Sequence, residues 1–246
     1  MKKLEKLNSH KRDSRINFNE KEHSYTIDDQ EKAISVTQLI HEFFPKFDKN
    51  YWAERESNKT GESKDDILSR WEELGSKARN LGTELHNQIE NYYNDIDYQN
   101  SREFEKFISF HDKYINKNYE PYRTEWRVFD QNKLLAGSID MVYKKSDNEV
   151  FIFDWKRSKK IITSNGSVEK QNPFENGLKG LSHLSSTDYI KYCLQQNIYK
   201  YILEKNYGLV VTSMNLLILH PFYSKYHIVK VEDLPLETEY LINSID

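Results

Sequence analysis

Residues 134–160, LLAGSIDMVYKKSDNEVFIFDWKRSKK, constrain the chain more than any other stretch, because they read as two β-strands joined by a polar turn and carrying two aspartates and a lysine. Val150 to Phe153 form a short apolar run of strand length, ended by the charges of Asp154 and Lys156. The period of two sends Asp154 and Lys156 to one face and Phe153 and Trp155 to the other. Ala136 to Tyr143 reads as the preceding strand with Asp140 inside it, and Lys145 to Asn148 is the turn. A two-residue turn at Asp147-Asn148 would set Asp154 opposite Met141. A three-residue turn over Ser146 to Asn148 sets Asp154 opposite Asp140, and Asn148 tolerates the left-handed backbone such a loop ends on. Two carboxylates about 5 Å apart repel unless positive charge lies between them, and a divalent cation is the economical solution.

Composition narrows the classes. A net charge of −3 excludes a protein that coats nucleic acid indiscriminately, but not a local basic groove. The single cysteine, Cys193, excludes a disulfide framework and a four-cysteine zinc or iron–sulfur site. No apolar run approaches the ~18 residues of a membrane span, and the basic start lacks the apolar segment of a signal peptide, so a soluble intracellular protein without membrane contact is expected. Abundant Tyr, Phe, Lys, Asn and Ile beside scarce Gly and Ala are what an AT-rich coding sequence gives, so tyrosine richness carries no functional weight.

The order of elements predicts an α/β fold. Residues 1–15 read as a flexible basic arm. Residues 16–118 hold a small hairpin over 16–28 and a helical region. That region comprises a short helix from the capping box Ser35-Val36-Thr37-Gln38 to Phe44, a second over 48–57, and a third from Asp65. In the third, Leu68, Trp71, Leu74, Ala78, Leu81 and Leu85 are spaced as one buried stripe, and Gly82 predicts a break before a segment carrying His86. Residues 119–246 hold three successive strands, the first supplying Glu125 on the face of Arg127, then a long polar connection from Ser158 to Ser186. A helix over 187–207, strands over 209–219 and 226–231 and a closing helix follow, all within one compact domain.

Singly, each candidate has an ordinary reading: Asp154-Trp155-Lys156 as a solvated strand end, His86 as a packing histidine, Tyr199 as core, the lysines after residue 156 as a charged surface. Together and in order, they resemble the three-part signature of the PD-(D/E)XK nuclease superfamily, in its RecB-like branch. The matching segments are Gly137-Ser138-Ile139-Asp140, Phe153-Asp154-Trp155-Lys156 and Gln195-Gln196-Asn197-Ile198-Tyr199. Gly82-Thr83-Glu84-Leu85-His86 resembles that branch's upstream histidine motif, and Glu125 stands where an acidic residue often lies on the first core strand. The likeness spans roughly residues 80–220 and is similar to exonucleases of phages and large DNA viruses. Ile139 replaces the name-giving proline, and the cluster-binding cysteines of some members are absent, so no iron–sulfur cluster is implied.

The resemblance implies a restriction-endonuclease-like core, a mixed central sheet flanked by helices, with the N-terminal helical region as an annex. It implies a Mg²⁺- or Mn²⁺-dependent deoxyribonuclease with one or two ions, acting on DNA in replication, recombination or genome processing, most simply as an exonuclease. An endonuclease cutting DNA or RNA internally, or an inactive nucleic-acid-binding member, are the alternatives. The expected metal ligands are His86, Asp140, Asp154 and the Trp155 carbonyl, oxygen-rich and suited to hard divalent ions. Lys156 would orient or deprotonate the attacking water or stabilise the transition state. Gln195 and Tyr199 would position the strand or the water. Glu125 would be an outer support of the metal site or an ion-pair partner of Arg127. Arg157, Lys159 and Lys160 would bind substrate phosphates.

Overall fold

The tip of the central hairpin closes as a three-residue turn, the Lys145 N–H donating to the Glu149 carbonyl at 2.9 Å. Strand β5 (Leu135–Lys144) and strand β6 (Glu149–Lys156) are paired from Lys144–Val150 to Met141–Phe153. This register sets Asp140 level with Asp154, as the odd turn requires. The computed structural model that shows this describes residues 1–29, 31–116, 118–163 and 165–245.

Beyond Met141 the two strands part. The edge that β5 withdraws from β6 is taken up further along by a short parallel strand, β3 (Glu31–Ser35), through Ile34–Leu135 and Ser35–Ala136. On its other edge β5 pairs along its length with β4 (Glu120–Asp130). The sheet continues from β6 to β7 (Val210–Ile218) in parallel and to β8 (His227–Lys230) antiparallel, while β1 (Ile16–Asn19) and β2 (Ser24–Ile27) extend it past β3. Among the described residues it is an eight-stranded mixed sheet. The hairpin over 16–28 is as expected. Strand β3 is not, because the Ser35 capping box hides a strand that ends where the helix begins.

Helices cover both faces. On one, α2 (Val36–His41) and α6 (Asp188–Asn206) pack with Trp126, Val128, Ile139, Val142, Ile152 and Leu216, and α7 (Pro235–Asn243) completes the layer. On the other, the end of α4 (Lys64–Tyr93) and α5 (Arg102–Phe110) pack Leu85, Ile89, Phe107 and Phe110 on Met141, Tyr143, Phe153 and Trp155. Strand β5 thus sends Ile139 and Val142 to the same face although they are three residues apart. The alternation slips by one residue at Asp140. Its neighbour on β4, Glu125, has a left-handed φ of 43°, a conformation that costs energy for a residue with a Cβ.

Three expectations for the N-terminal half do not hold. Helix α4 runs 30 residues without a break at Gly82; glycine lowers helix propensity but, unlike proline, removes no hydrogen bond and creates no clash. The stripe from Leu68 to Leu81 is not buried, and Leu74 is 59% exposed, because the first two-thirds of α4 pack on α3 (Lys49–Thr60) and the residues flanking it and not on the sheet. Residues 1–15 are not a free arm: α1 (Lys3–Leu7) buries Leu4, and Asp13 accepts from Arg123 Nη1 at 2.7 Å and Trp126 Nε1 at 2.9 Å. Arg12 donates to the Phe129 carbonyl at 2.9 Å with its guanidinium over the Phe129 ring. The partners of Asp13 and Arg12 are on β4, more than a hundred residues away, and the Leu4 N–H donates to Asn94 just past α4, where local sequence reading cannot reach. Among the described residues no helix is long and apolar enough to cross a membrane.

Candidate metal and catalytic site

The site forms where β5 and β6 part. Extrapolating the two ladders, Glu125, Asp140 and Asp154 lie side by side on β4, β5 and β6. With no strand partner at this level, the Trp155 N–H donates to Asp140 Oδ2 at 2.8 Å, so the aspartate side chain bridges the fork. On the α4 side His86 reaches in: Nδ1 lies 3.2 Å from Glu125 Oε1 and 3.6 Å from Asp140 Oδ2, and Nε2 lies 3.0 Å from the Trp155 carbonyl. Ser138 Oγ donates to the other Glu125 oxygen at 3.2 Å. Glu125 therefore belongs to the acidic centre and is not an ion-pair partner of Arg127.

On the α6 side, Lys156 Nζ pairs with Asp154 Oδ2 at 2.5 Å and lies 4.3 Å from the centre of the Tyr192 ring. Gln196, fully buried, donates from Nε2 to Asp154 Oδ1 at 3.3 Å. Gln195 donates to the Tyr199 hydroxyl at 3.2 Å and lines a cleft of about 310 Å³ with Lys156, Tyr192, Lys191, His41 and Thr37. Tyr199 is buried, its ring packed so tightly on Gly137 that a Cβ there would lie 2.6 Å from it. It packs on the start of the Asp140 segment, while Gln195 lines the cleft. Sequence reading missed Gln196 and Tyr192. The signal was present, since positions 192, 195, 196 and 199 recur at the spacing of one helix face.

The electrostatics follow from crowding acids in a buried fork. Burial raises Asp140; His86 opposes this, but Asp154 and Glu125 add to it, and the carboxyl is pushed up to about 7. Burial would lower His86, yet Asp140 and Glu125 outweigh it and raise the imidazole to about 9. As an imidazolium, His86 donates from both nitrogens, to Glu125 and to the Trp155 carbonyl. Burial would raise Glu125, but its hydrogen bond from His86 holds it below the ordinary range. Lys156 would be lowered by burial, but Asp154 keeps it firmly an ammonium.

Ligand atoms of His86, Glu125 and Asp140 all lie within 4.8 Å of one another, a group that could hold a metal ion. Two carboxylates and an imidazole are donors that hard divalent cations accept, while the Trp155 carbonyl lies at the other ring nitrogen of His86, away from the two acids. Asp154, expected as a ligand, lies outside this group, its carboxylate turned to Lys156 and Gln196; Glu125 takes its place. The cause is the slip in alternation, which leaves Asp140 in the gap with Glu125 and His86 on one side of the sheet and Asp154 on the other.

Of the expected substrate contacts, Lys159 and Lys160 are exposed just past β6. Arg157 is instead bound by Glu103 of α5 at 2.8 Å, with both side chains largely buried. Its charge is spent on fastening the end of β6 to α5.

No family model and no curated protein matches the chain. Among solved structures, the crystal structure of SSO0001 is 13% identical over 86% of this chain and 74% of its own, with a TM-score of 0.35. A likeness of that size carries no argument about fold or chemistry.

Proposed function

We propose that the protein is a metal-dependent nuclease of the PD-(D/E)XK type with a restriction-endonuclease-like core, hydrolysing DNA phosphodiester bonds as an exonuclease. The observation that carries the reading is the fork itself: three acids abreast on adjacent strands, with His86 on one side and an ammonium, Lys156, on the other. His86, Glu125 and Asp140 would hold a Mg²⁺ or Mn²⁺ ion, which supplies a nucleophile at neutral pH and neutralises charge on the phosphate.

The chain's own residues account for the rest. Lys156, kept protonated by Asp154, is suited to stabilising charge that builds on the phosphate, and it is a poor base while that partner remains. Asp154 positions Lys156 and is itself steadied by Gln196. Tyr192 gives the ammonium an aromatic bed, which limits its wandering without neutralising it. Gln195, at the cleft wall, is positioned to hydrogen-bond the substrate strand.

Matched linear duplex, closed circular and single-stranded DNA incubated with Mg²⁺ or Mn²⁺ test this. Linear DNA should be degraded from its ends and circular DNA spared. Asp140→Asn and Lys156→Ala should each abolish hydrolysis, and the double variant should be little worse than either, because the residues act as a unit. Cutting of circular DNA would turn the reading to an endonuclease. Wild-type turnover in Lys156→Ala would overturn the catalytic assignment.

A further inference from the structure

Strand β4 carries Arg127 two residues past Glu125. In the β4–β5 ladder Arg127 stands opposite Ser138, whose hydroxyl donates to Glu125, so Arg127 opens onto the same side of the sheet as the acidic centre. Two residues of strand span about 6.6 Å, the scale of one or two phosphate steps along a nucleic-acid strand.

Arg127 is exposed, and among the described residues no carboxylate is paired with it. Arg70, Arg79, Arg123 and Arg157 are each paired with a carboxylate, and Arg55 and Arg102, which among the described residues are not, lie on the helices α3 and α5 and not on the strands of the acidic centre. Nor is Arg127 loose on the surface. Its guanidinium lies 5.6 Å from the centre of the Phe18 ring on β1. That ring is held by Tyr25 at 4.6 Å and by His23 at 5.1 Å. A guanidinium stacked on an aromatic platform loses little further freedom on forming a bidentate contact with phosphate.

We propose that Arg127, braced on Phe18 by the β1–β2 hairpin, binds a non-scissile phosphate of the DNA strand whose scissile phosphate lies at the His86–Glu125–Asp140 group, and so aligns that strand along β4. The proposal rests on the nuclease reading for the identity of the strand. It gives the N-terminal hairpin a task that the acidic centre does not explain. Arg127 is here a positioning residue.

Binding can be separated from cleavage. A fluorescent single-stranded oligodeoxynucleotide is titrated in EDTA with wild-type protein, Arg127→Ala, Arg127→Lys and Phe18→Leu, at several salt concentrations. Arg127→Ala should weaken binding about tenfold and lower the slope of log affinity against log salt by about one. Arg127→Lys should keep the slope and recover part of the affinity, and Phe18→Leu should lose affinity at unchanged slope. Oligonucleotides with one methylphosphonate, moved phosphate by phosphate, should show one position near the cleavage point at which wild-type affinity falls and Arg127→Ala affinity does not. Equal affinity, slope and methylphosphonate profile in wild type and Arg127→Ala would overturn the proposal, whatever the catalytic result. If these effects appear but wild type hydrolyses no DNA, the phosphate contact stands and the nuclease reading falls.

Discussion

Gly137 shows how closely the site is built. With Tyr199 packed where a Cβ would stand, Gly137→Ala must displace a buried ring or the strand that leads to Asp140. A loss of about 1–3 kcal/mol is expected, as for other overpacked cores. Trimming the ring with Tyr199→Leu should restore part of it, read as denaturation midpoints of the two single variants and the double variant. Additive losses would mean that Tyr199 yields freely and that Gly137 is needed for another reason. At this scale much was legible. Asp140, Asp154 and Lys156 stand out because charges inside or ending an apolar strand are costly, and the sequence reduced the register to two turn lengths, of which the three-residue turn is the one formed. That Glu125 groups with His86 and Asp140 while Asp154 turns to Lys156 was not legible. It depends on a one-residue slip and a left-handed Glu125, and no local pattern of residue types encodes either.

Two elements depart from their sequence reading, and each departure can be checked. Helix α4 passes through Gly82 unbroken, and a Cβ there would meet nothing within 4 Å. Gly82→Ala should therefore stabilise the protein by about 0.5–1 kcal/mol, seen as a raised thermal midpoint. A lower midpoint would point to a bend at this site. The N-terminal segment is fastened by Asp13, whose carboxyl burial would raise but which hydrogen bonds from Arg123, His10 and Trp126 hold below the ordinary range. A group depressed on folding contributes stability above its unfolded pKa of about 3.9 and loses it as pH falls through the folded value. The stability gap between wild type and Asp13→Asn should accordingly be largest near neutrality and shrink in acid below about pH 4. A gap that is constant with pH would show that the loss is one of packing. The missed strand β3 and the docked first fifteen residues share one cause: the pairing of β3 with β5 and the contacts of Asp13 with β4 span about a hundred residues or more, beyond the reach of periodicity and capping signals.

For the molecule as a whole, a net charge of −3 means that any attraction to a polyanion such as DNA must be local. With Arg157 bound to Glu103, Lys159 and Lys160 are the exposed cations that follow β6 in the chain. Neutralising both should weaken DNA binding and flatten its salt dependence while leaving metal titration unchanged. Unaltered binding and slope would mean that the strand passes elsewhere. The α/β class and the succession of strands from β4 to β8 could be read from the sequence, but the fork could not, since it requires β3 to claim an edge of β5 that β6 has left. That arrangement also bears on how the protein is made. The pairs closing the fork join Ile34 to Leu135, His86 to Trp155, and Asp154 to both Gln196 and Leu216. A chain growing from its N-terminus holds its acids from residue 154 onward, yet it cannot assemble the bed of Lys156 until α6 and β7 have left the ribosome. The site is therefore complete only when the last quarter of the chain has emerged, however early its acids are made.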